Sequence, residues 1–268
     1  MSGPASSGMP AERFLPALTA SAVHRAAAAA ANGLELWAAA RRAPRARSLV
    51  RALRTPPLVA PDIAIIAECK AKSPSQGRLV PAYDPAARAQ AYERAGARAV
   101  SVLTEPYFFD GDLDHLRAVA ASAGVPVLRK DFLLEPAQVA EARMHGADAV
   151  LAIVRILSDG QLLALLAAGG ELGMDVLVEV HNRGELARAV AAGATLVGVN
   201  NRDLDTFDTR LTRALDLAPA LPESATAVAE SGIRTAVDLS RLASAGYHAA
   251  LVGQTLMQEG TALLGPSR

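Results

Sequence analysis

Residues 135–154 read EPAQVAEARMHGADAVLAIV. Glu135-Pro136 has the form of a helix start, with proline in the first turn, where its missing N–H removes no intrahelical bond. His145-Gly146-Ala147 is a small-residue hinge, and glycine suits a helix end that must turn straight into a strand. Residues 149–154 are then a short apolar run of β type. The hinge recurs at Ala95-Gly96-Ala97, Ala192-Gly193-Ala194 and Ala245-Gly246-Tyr247. Its glycines lie roughly 50 residues apart, two β-α units per interval. Asp84-Pro85 is a further helix start of the same kind.

Working outward, β-type runs occur at 63–69, 99–103, 125–128, 149–154, 176–180, 196–200, 226–229 and 249–252. Stretches with apolar residues at i, i+3 and i+4 separate them. Eight strands alternating with eight helices over about 200 residues predict a (β/α)8 TIM barrel. An open doubly wound sheet is the alternative, but it usually has fewer strands and often a glycine-rich first turn, absent after 63–69. Residues 1–60 differ. An Ala-rich helical stretch at 24–31 is stopped by Asn32-Gly33, a second spans 34–42, and 45–53 forms a third. Pro56, Pro57 and Pro61 then break the chain. The expected organisation is an N-terminal helical extension (1–60) packed on a barrel (61–268).

The 268 residues are 51% hydrophobic and 20% charged, enough to build a large core. Twenty-seven basic residues balance 27 acidic ones, so no global field recruits nucleic acid or an anionic membrane. A single cysteine rules out an internal disulfide and any multi-cysteine zinc site, which suits a reducing compartment. No apolar run reaches the roughly 18 residues of a membrane span. The opening MSGPASSGMPAERF lacks a basic segment followed by an apolar one, so no signal peptide is expected. These bounds point to the cytoplasm.

Only three of the basic residues are lysines: Lys70, Lys72 and Lys130. About a fifth of the chain is alanine, which with the arginine excess looks like a coding bias that replaces lysine wherever charge alone suffices. Arginine does not release a proton in a protein, whereas lysine has a tunable pKa. A lysine retained here therefore calls first for a chemical explanation.

In a barrel, chemistry sits at the C-terminal ends of the strands. The first ends Glu68-Cys69-Lys70; side chains alternate, so Glu68 and Lys70 share one face and Cys69 packs outward as a small hydrophobe. A turn-rich loop, Ser73-Pro74-Ser75-Gln76-Gly77, follows. The third end places Lys130 and Phe132 in phase, the fifth carries Glu179, and the sixth carries Asn200 and Arg202. The seventh ends Glu230-Ser231-Gly232, and the eighth Gly253-Gln254. A glutamate inside an apolar strand such as 176–180 is costly to bury unless it meets a cation or a wet site. Ionisable groups at the same end of five strands point to a polar catalytic mouth. Small and polar residues after strands seven and eight stand where barrels commonly seat a phosphate. His24, His115, His145 and His248 fall in helical or hinge segments and are expected to face solvent. His181 is in phase with Glu179 but has no evident partner. No metal-ligand spacing, GxSxG or GxxxxGK[ST] occurs.

Together these strand ends resemble the indole-3-glycerol-phosphate synthase family. The stretches that carry the resemblance are IIAECKAKSPSQG, SVLTEPYFFDG, VLRKDF, LVEV, GVNNRDL, VAESGI and LVGQTLM, in family order and spacing from about Ile65 to Met257. The resemblance implies conversion of 1-(2-carboxyphenylamino)-1-deoxyribulose 5-phosphate into indole-3-glycerol phosphate with loss of carbon dioxide and water. It implies Lys130 as general acid, Lys70 as the lysine that binds substrate anion and assists catalysis, Glu179 as the second acid/base group, and Glu68 as a carboxylate holding substrate and lysines. It implies Asn200 and Arg202 as positioning residues, with Ser73, Pro74 and Glu230 lining the site and Phe109 and Phe132 walling the anthranilate ring. Ser231, Gly232, Gly253 and Gln254 match its phosphate-binding positions; Gln254 departs from the usual serine. No cofactor or metal is implied. A phosphorylated small molecule is the expected ligand, and association with other tryptophan-pathway enzymes is compatible with this reading. Two alternatives stand beside it. One is another phosphosugar barrel such as phosphoribosylanthranilate isomerase, whose first-strand cysteine has a different context from Cys69. The other is a silent barrel that only binds a phosphometabolite, for which arginine would have served in place of Lys130.

Overall fold

The computed structural model describes residues 11–55, 63–74, 77–78 and 82–264. Eight parallel strands close into a ring: β1 (Ala64–Cys69), β2 (Ala99–Leu103), β3 (Val127–Lys130), β4 (Ala149–Ile153), β5 (Asp175–Val180), β6 (Leu196–Asn200), β7 (Thr226–Glu230) and β8 (Ala249–Val252). Closure is made by β1, which pairs with β8 through Ala64↔Ala249 and with β2 through Ile66↔Ala99. An open sheet would leave two free edges, so the ring bears out the barrel. A helix follows each strand; those after β3 and β5 are Pro136–Met144 and Arg183–Ala191. A short ribbon, Lys72–Ser73 against Gly77–Arg78, follows β1.

The strands are apolar because both faces are covered, the inner by side chains of the other strands and the outer by helices. The four hinge glycines, Gly96, Gly146, Gly193 and Gly246, all have positive φ, between 81° and 107°, and each ends a helix just before a strand. Cys69 points outward and is fully buried near Pro85, as expected, and burial pushes its thiol up to about 12.

Three expectations need adjusting. The third strand runs over 127–130 rather than 125–128, since Pro126 has no N–H for a ladder. Arg129 extends it because its outward guanidinium is fully paired, with Glu141 at 2.8 Å, Asp131 at 3.1 Å and Thr104 at 3.1 Å. The first helix spans Ala11–Ala31, far longer than 24–31. Pro16, Thr19 and Ser21 weaken its local signal, but Phe14, Leu18, Ala22, Ala26 and Ala29 form one buried face, and packing outweighs propensity. The third helix is Leu49–Arg54, started by Ser48, whose hydroxyl accepts the Arg51 N–H at 3.1 Å. Phe14, Leu18, Leu49 and Leu53 join the same core as the barrel strands. The expected break at Pro56, Pro57 and Pro61, and Ser75 and Gln76 of the loop after β1, lie outside the described residues. Among the described residues no helix is long and apolar enough to cross a membrane.

Candidate active site

Period-two alternation sends Glu68, Lys70, Lys130, Glu179, Asn200 and Glu230 to the inside at the C-terminal ends of five strands. Lys130 Nζ lies 3.1 Å from Glu179 Oε2 and 3.0 Å from Glu230 Oε2. Lys70 Nζ donates to Glu68 Oε1 at 2.6 Å. Asn200 Nδ2 donates to Glu179 Oε1 at 3.1 Å, and Asn200 Oδ1 accepts the Arg202 backbone N–H at 3.0 Å.

These groups surround a cavity of about 400 Å³ at the barrel mouth. Lining it are Glu68, Lys70, Pro74, Phe109, Lys130, Phe132, Glu179, Asn200, Arg202, Ser231, Gly232, Gly253 and Gln254. Two expected residues stand apart from that lining. Ser73 is buried in the ribbon, and Glu230 lies beneath Lys130 as its ion-pair partner. Phe109 and Phe132 stack with centroids 6.3 Å apart, forming an apolar wall. Ser231 and Gly232, also in the lining, have φ of 64° and 73°, two consecutive left-handed residues directly after β7. Gln254 Oε1 accepts from Arg202 Nη2 at 3.4 Å, so the residue in place of serine meets the neighbouring guanidinium. Arg202 Nε is buried with no hydrogen-bond partner among the described residues, an open donor beside the cavity.

The model of a known family, described as indole-3-glycerol phosphate synthase, matches residues 17–263. The chain belongs to that family. The indole-3-glycerol phosphate synthase of Mycolicibacterium gilvum is 48% identical over 226 residues, covering 84% of this chain and 81% of the relative. That of Mycobacterium tuberculosis H37Rv has the same identity and coverage, and that of Mycobacteroides abscessus is 48% identical over 223 residues, 83% of this chain and 80% of the relative. A solved structure described as "Native KDPGal structure" superposes with a TM-score of 0.53 at 19% identity, covering 77% of this chain and 93% of that one, which speaks to the fold alone. The family's activity, a carboxy-lyase step of tryptophan biosynthesis, is this chain's activity.

For an indole-3-glycerol phosphate synthase the charge arrangement is informative. Burial alone would discharge Lys130, but Glu230, Glu179 and Glu68 outweigh it and hold the ammonium above its ordinary value. Burial works against the charge of Glu179 and Glu68 too, and their lysine neighbours pull both below the usual carboxylate range. Glu230 is raised to about 7, first by burial and then by the charge of Glu179, against the pull of Lys130. Its Oε1 is buried without a partner among the described residues. Three carboxylates thus crowd two lysines, and Glu230 is the one that keeps a proton most easily.

Two features escaped the sequence reading. Phe14, from the first helix, lines the cavity and meets Phe108 and Phe207 edge-on at 5.0 and 4.9 Å. Nothing local marks it, because the helix comes from the far end of the chain. His181 does have a partner: Nδ1 lies 3.0 Å from Glu185 Oε2, a spacing of four that was there to be read. His145 is buried rather than solvent-facing, its Nδ1 2.8 Å from the Glu141 carbonyl oxygen, and His248 Nδ1 accepts the Ala227 N–H at 3.1 Å. Of the four histidines expected in solvent, only His24 is exposed. Among the described residues no group of three or more His, Cys, Asp or Glu is placed to hold a metal ion.

Proposed function

We propose that Lys130 is the general acid of the ring closure, with Glu179 as the second proton-transfer group and Lys70 and Arg202 as anion-binding cations. The substrate is 1-(2-carboxyphenylamino)-1-deoxyribulose 5-phosphate. Its aryl carbon attacks the ketone, whose oxygen must gain a proton as the carbon–carbon bond forms. Lys130, fully charged and at the cavity wall, supplies it. Carbon dioxide then leaves and the ring regains aromaticity. The new hydroxyl takes a second proton, drawn from solvent, and departs as water while a base takes hydrogen from the adjacent carbon; Glu179, held ionised, is that base. Asn200 orients Glu179 through its amide. Phe109 and Phe132 receive the anthranilate ring, with Pro74 also in the lining and Ser73 next to it in the ribbon. Glu68 holds Lys70 in place, and Glu230 holds Lys130. The phosphate lies against Ser231, Gly232, Gly253 and Gln254, within reach of the free Arg202 Nε.

The observation that carries this reading is one ammonium held between Glu179 and Glu230 in the lining of a cavity with an aromatic wall. The extension is assigned to 1–60 and the barrel to 61–268. Residence is assigned to the cytoplasm, where other tryptophan-pathway enzymes are possible associates. Purified protein mixed with the carboxyphenylamino-deoxyribulose phosphate should generate indole fluorescence. Lys130→Met should abolish that signal while substrate still binds, because the proton donor goes and an apolar stem remains; undiminished turnover would refute the assignment.

A further inference from the structure

Glu179 has a third neighbour, beyond Lys130 and Asn200, with no part in the proton transfers. His181 is buried, and its Nε2 lies 3.4 Å from Glu179 Oε1, on the oxygen that Lys130 does not touch. On its other side Glu185 Oε2 accepts the His181 backbone N–H at 2.7 Å and lies 3.0 Å from Nδ1. Glu185 is itself fixed by Asn182, whose Nδ2 donates to Oε1 at 2.8 Å and whose Oδ1 accepts the Glu185 N–H at 2.9 Å. A carboxylate can only accept, so Nδ1 carries a proton. A neutral ring would then turn the lone pair of Nε2 toward a carboxylate oxygen, two acceptors face to face in a dry space. Nε2 makes no hydrogen bond among the described residues. A proton between Nε2 and Glu179 removes that conflict.

We propose that His181 is a positioning residue for Glu179: the Glu185–His181 pair holds a proton against the carboxylate on the side away from Lys130, keeping Glu179 ionised and aimed at the cavity. This rests on Glu179 being the base. His181 does not line the cavity, so it acts through Glu179 and not on substrate. The charged groups around the imidazole are Glu179 from β5, Glu185 from the helix Arg183–Ala191, and Arg155 after β4. Arg155 lies 3.8 Å from Glu185 and also pairs with Asp205 from the loop after β6. Beyond Glu179 stand Lys130 and Glu230. Burial and Arg155 oppose the imidazolium, but the bond to Glu185 and the charges of Glu179 and Glu185 outweigh them and raise its pKa. A cation beside Glu179 lowers the carboxylate's pKa; removing it raises that value, so the acid limb of kcat moves to higher pH.

The test is kcat and KM across pH for the full chain and for His181→Gln, Glu185→Gln and Glu179→Gln. With His181→Gln, kcat falls roughly tenfold, a fraction of what a proton-transfer group itself contributes, and KM hardly changes. Its acid limb rises by about one pH unit. Glu185→Gln moves the limb in the same direction by less, and serves if His181→Gln does not fold. A lower melting temperature with an unmoved limb, or a wild-type kcat, overturns the proposal. Glu179→Gln separates the two readings. If it keeps full rate, the base assignment falls and this proposal with it. If it abolishes turnover while both other variants keep the wild-type limb, only the role of His181 falls.

Discussion

Lys130 shows why a single residue type was retained. The site needs a cation that stays charged while buried and yet gives up a proton to a developing alkoxide. Glu179, Glu230 and Glu68 meet the first need, and only lysine chemistry meets the second. Lys130→Arg separates them. It keeps a cation against Glu179 and Glu230, so the melting temperature should change little, whereas kcat should drop by about 10²–10⁴-fold for want of a proton donor. Turnover near wild type with arginine would mean that charge alone does the work. Lys72, by contrast, lies in the ribbon after β1 and outside the cavity lining.

At the scale of strands, glycine on one element makes room for a carboxylate on the next. A Cβ at Gly198 on β6 would meet Glu230 Oε1 from β7, with Leu177 Cδ1 at 3.2 Å; one at Gly253 would meet Glu68 Oε1, with Glu68 Cδ at 2.9 Å. Both glutamates hold lysines, so each glycine sets the position of a lysine it never touches. Gly198→Ala should push the Glu230 carboxylate off Lys130, lower kcat and cost about 1–3 kcal/mol by overpacking. Unchanged kcat together with unchanged denaturant midpoint would show that the strands can yield there. The same closeness explains why Gly198 was invisible as a functional position: in the sequence it is one small residue in an apolar run.

Over the whole molecule, the first helix is tied to the strand end that carries Lys130. Arg25 Nη1 donates to both oxygens of Asp131 at 2.8 Å, and Asp131 also takes Arg129 at 3.1 Å and the Thr104 hydroxyl at 2.6 Å. Burial works against the Asp131 charge, but Arg129 and Arg25 outweigh it and pull its pKa below the usual range. The folded value is below the unfolded one. The stability this group contributes is therefore present above about pH 4 and lost as pH falls through the folded value. Asp131→Asn should cost about 3 kcal/mol, since it leaves Arg25 without its counter-ion and Arg129 with Glu141 alone. Its melting temperature should also fall less steeply than wild type below about pH 4; parallel curves would remove Asp131 from the acid response.

The barrel was readable because its signals are local and repeated. Apolar runs, proline starts and glycine hinges follow from backbone constraints that each segment carries in itself, and alternation assigned Glu68, Lys70, Lys130 and Glu179 to one side of their strands. Which groups touch was another matter. That Lys130 meets Glu230, 100 residues away, that Phe14 reaches the mouth, and that Arg25 clasps Asp131 depend on ring closure and on a helix packing over the end of the barrel. Those contacts join segments distant along the chain, and their energies exist only once the core has brought the segments together. Periodicity in the sequence sets the direction of a side chain; its partner is set by the closed shape.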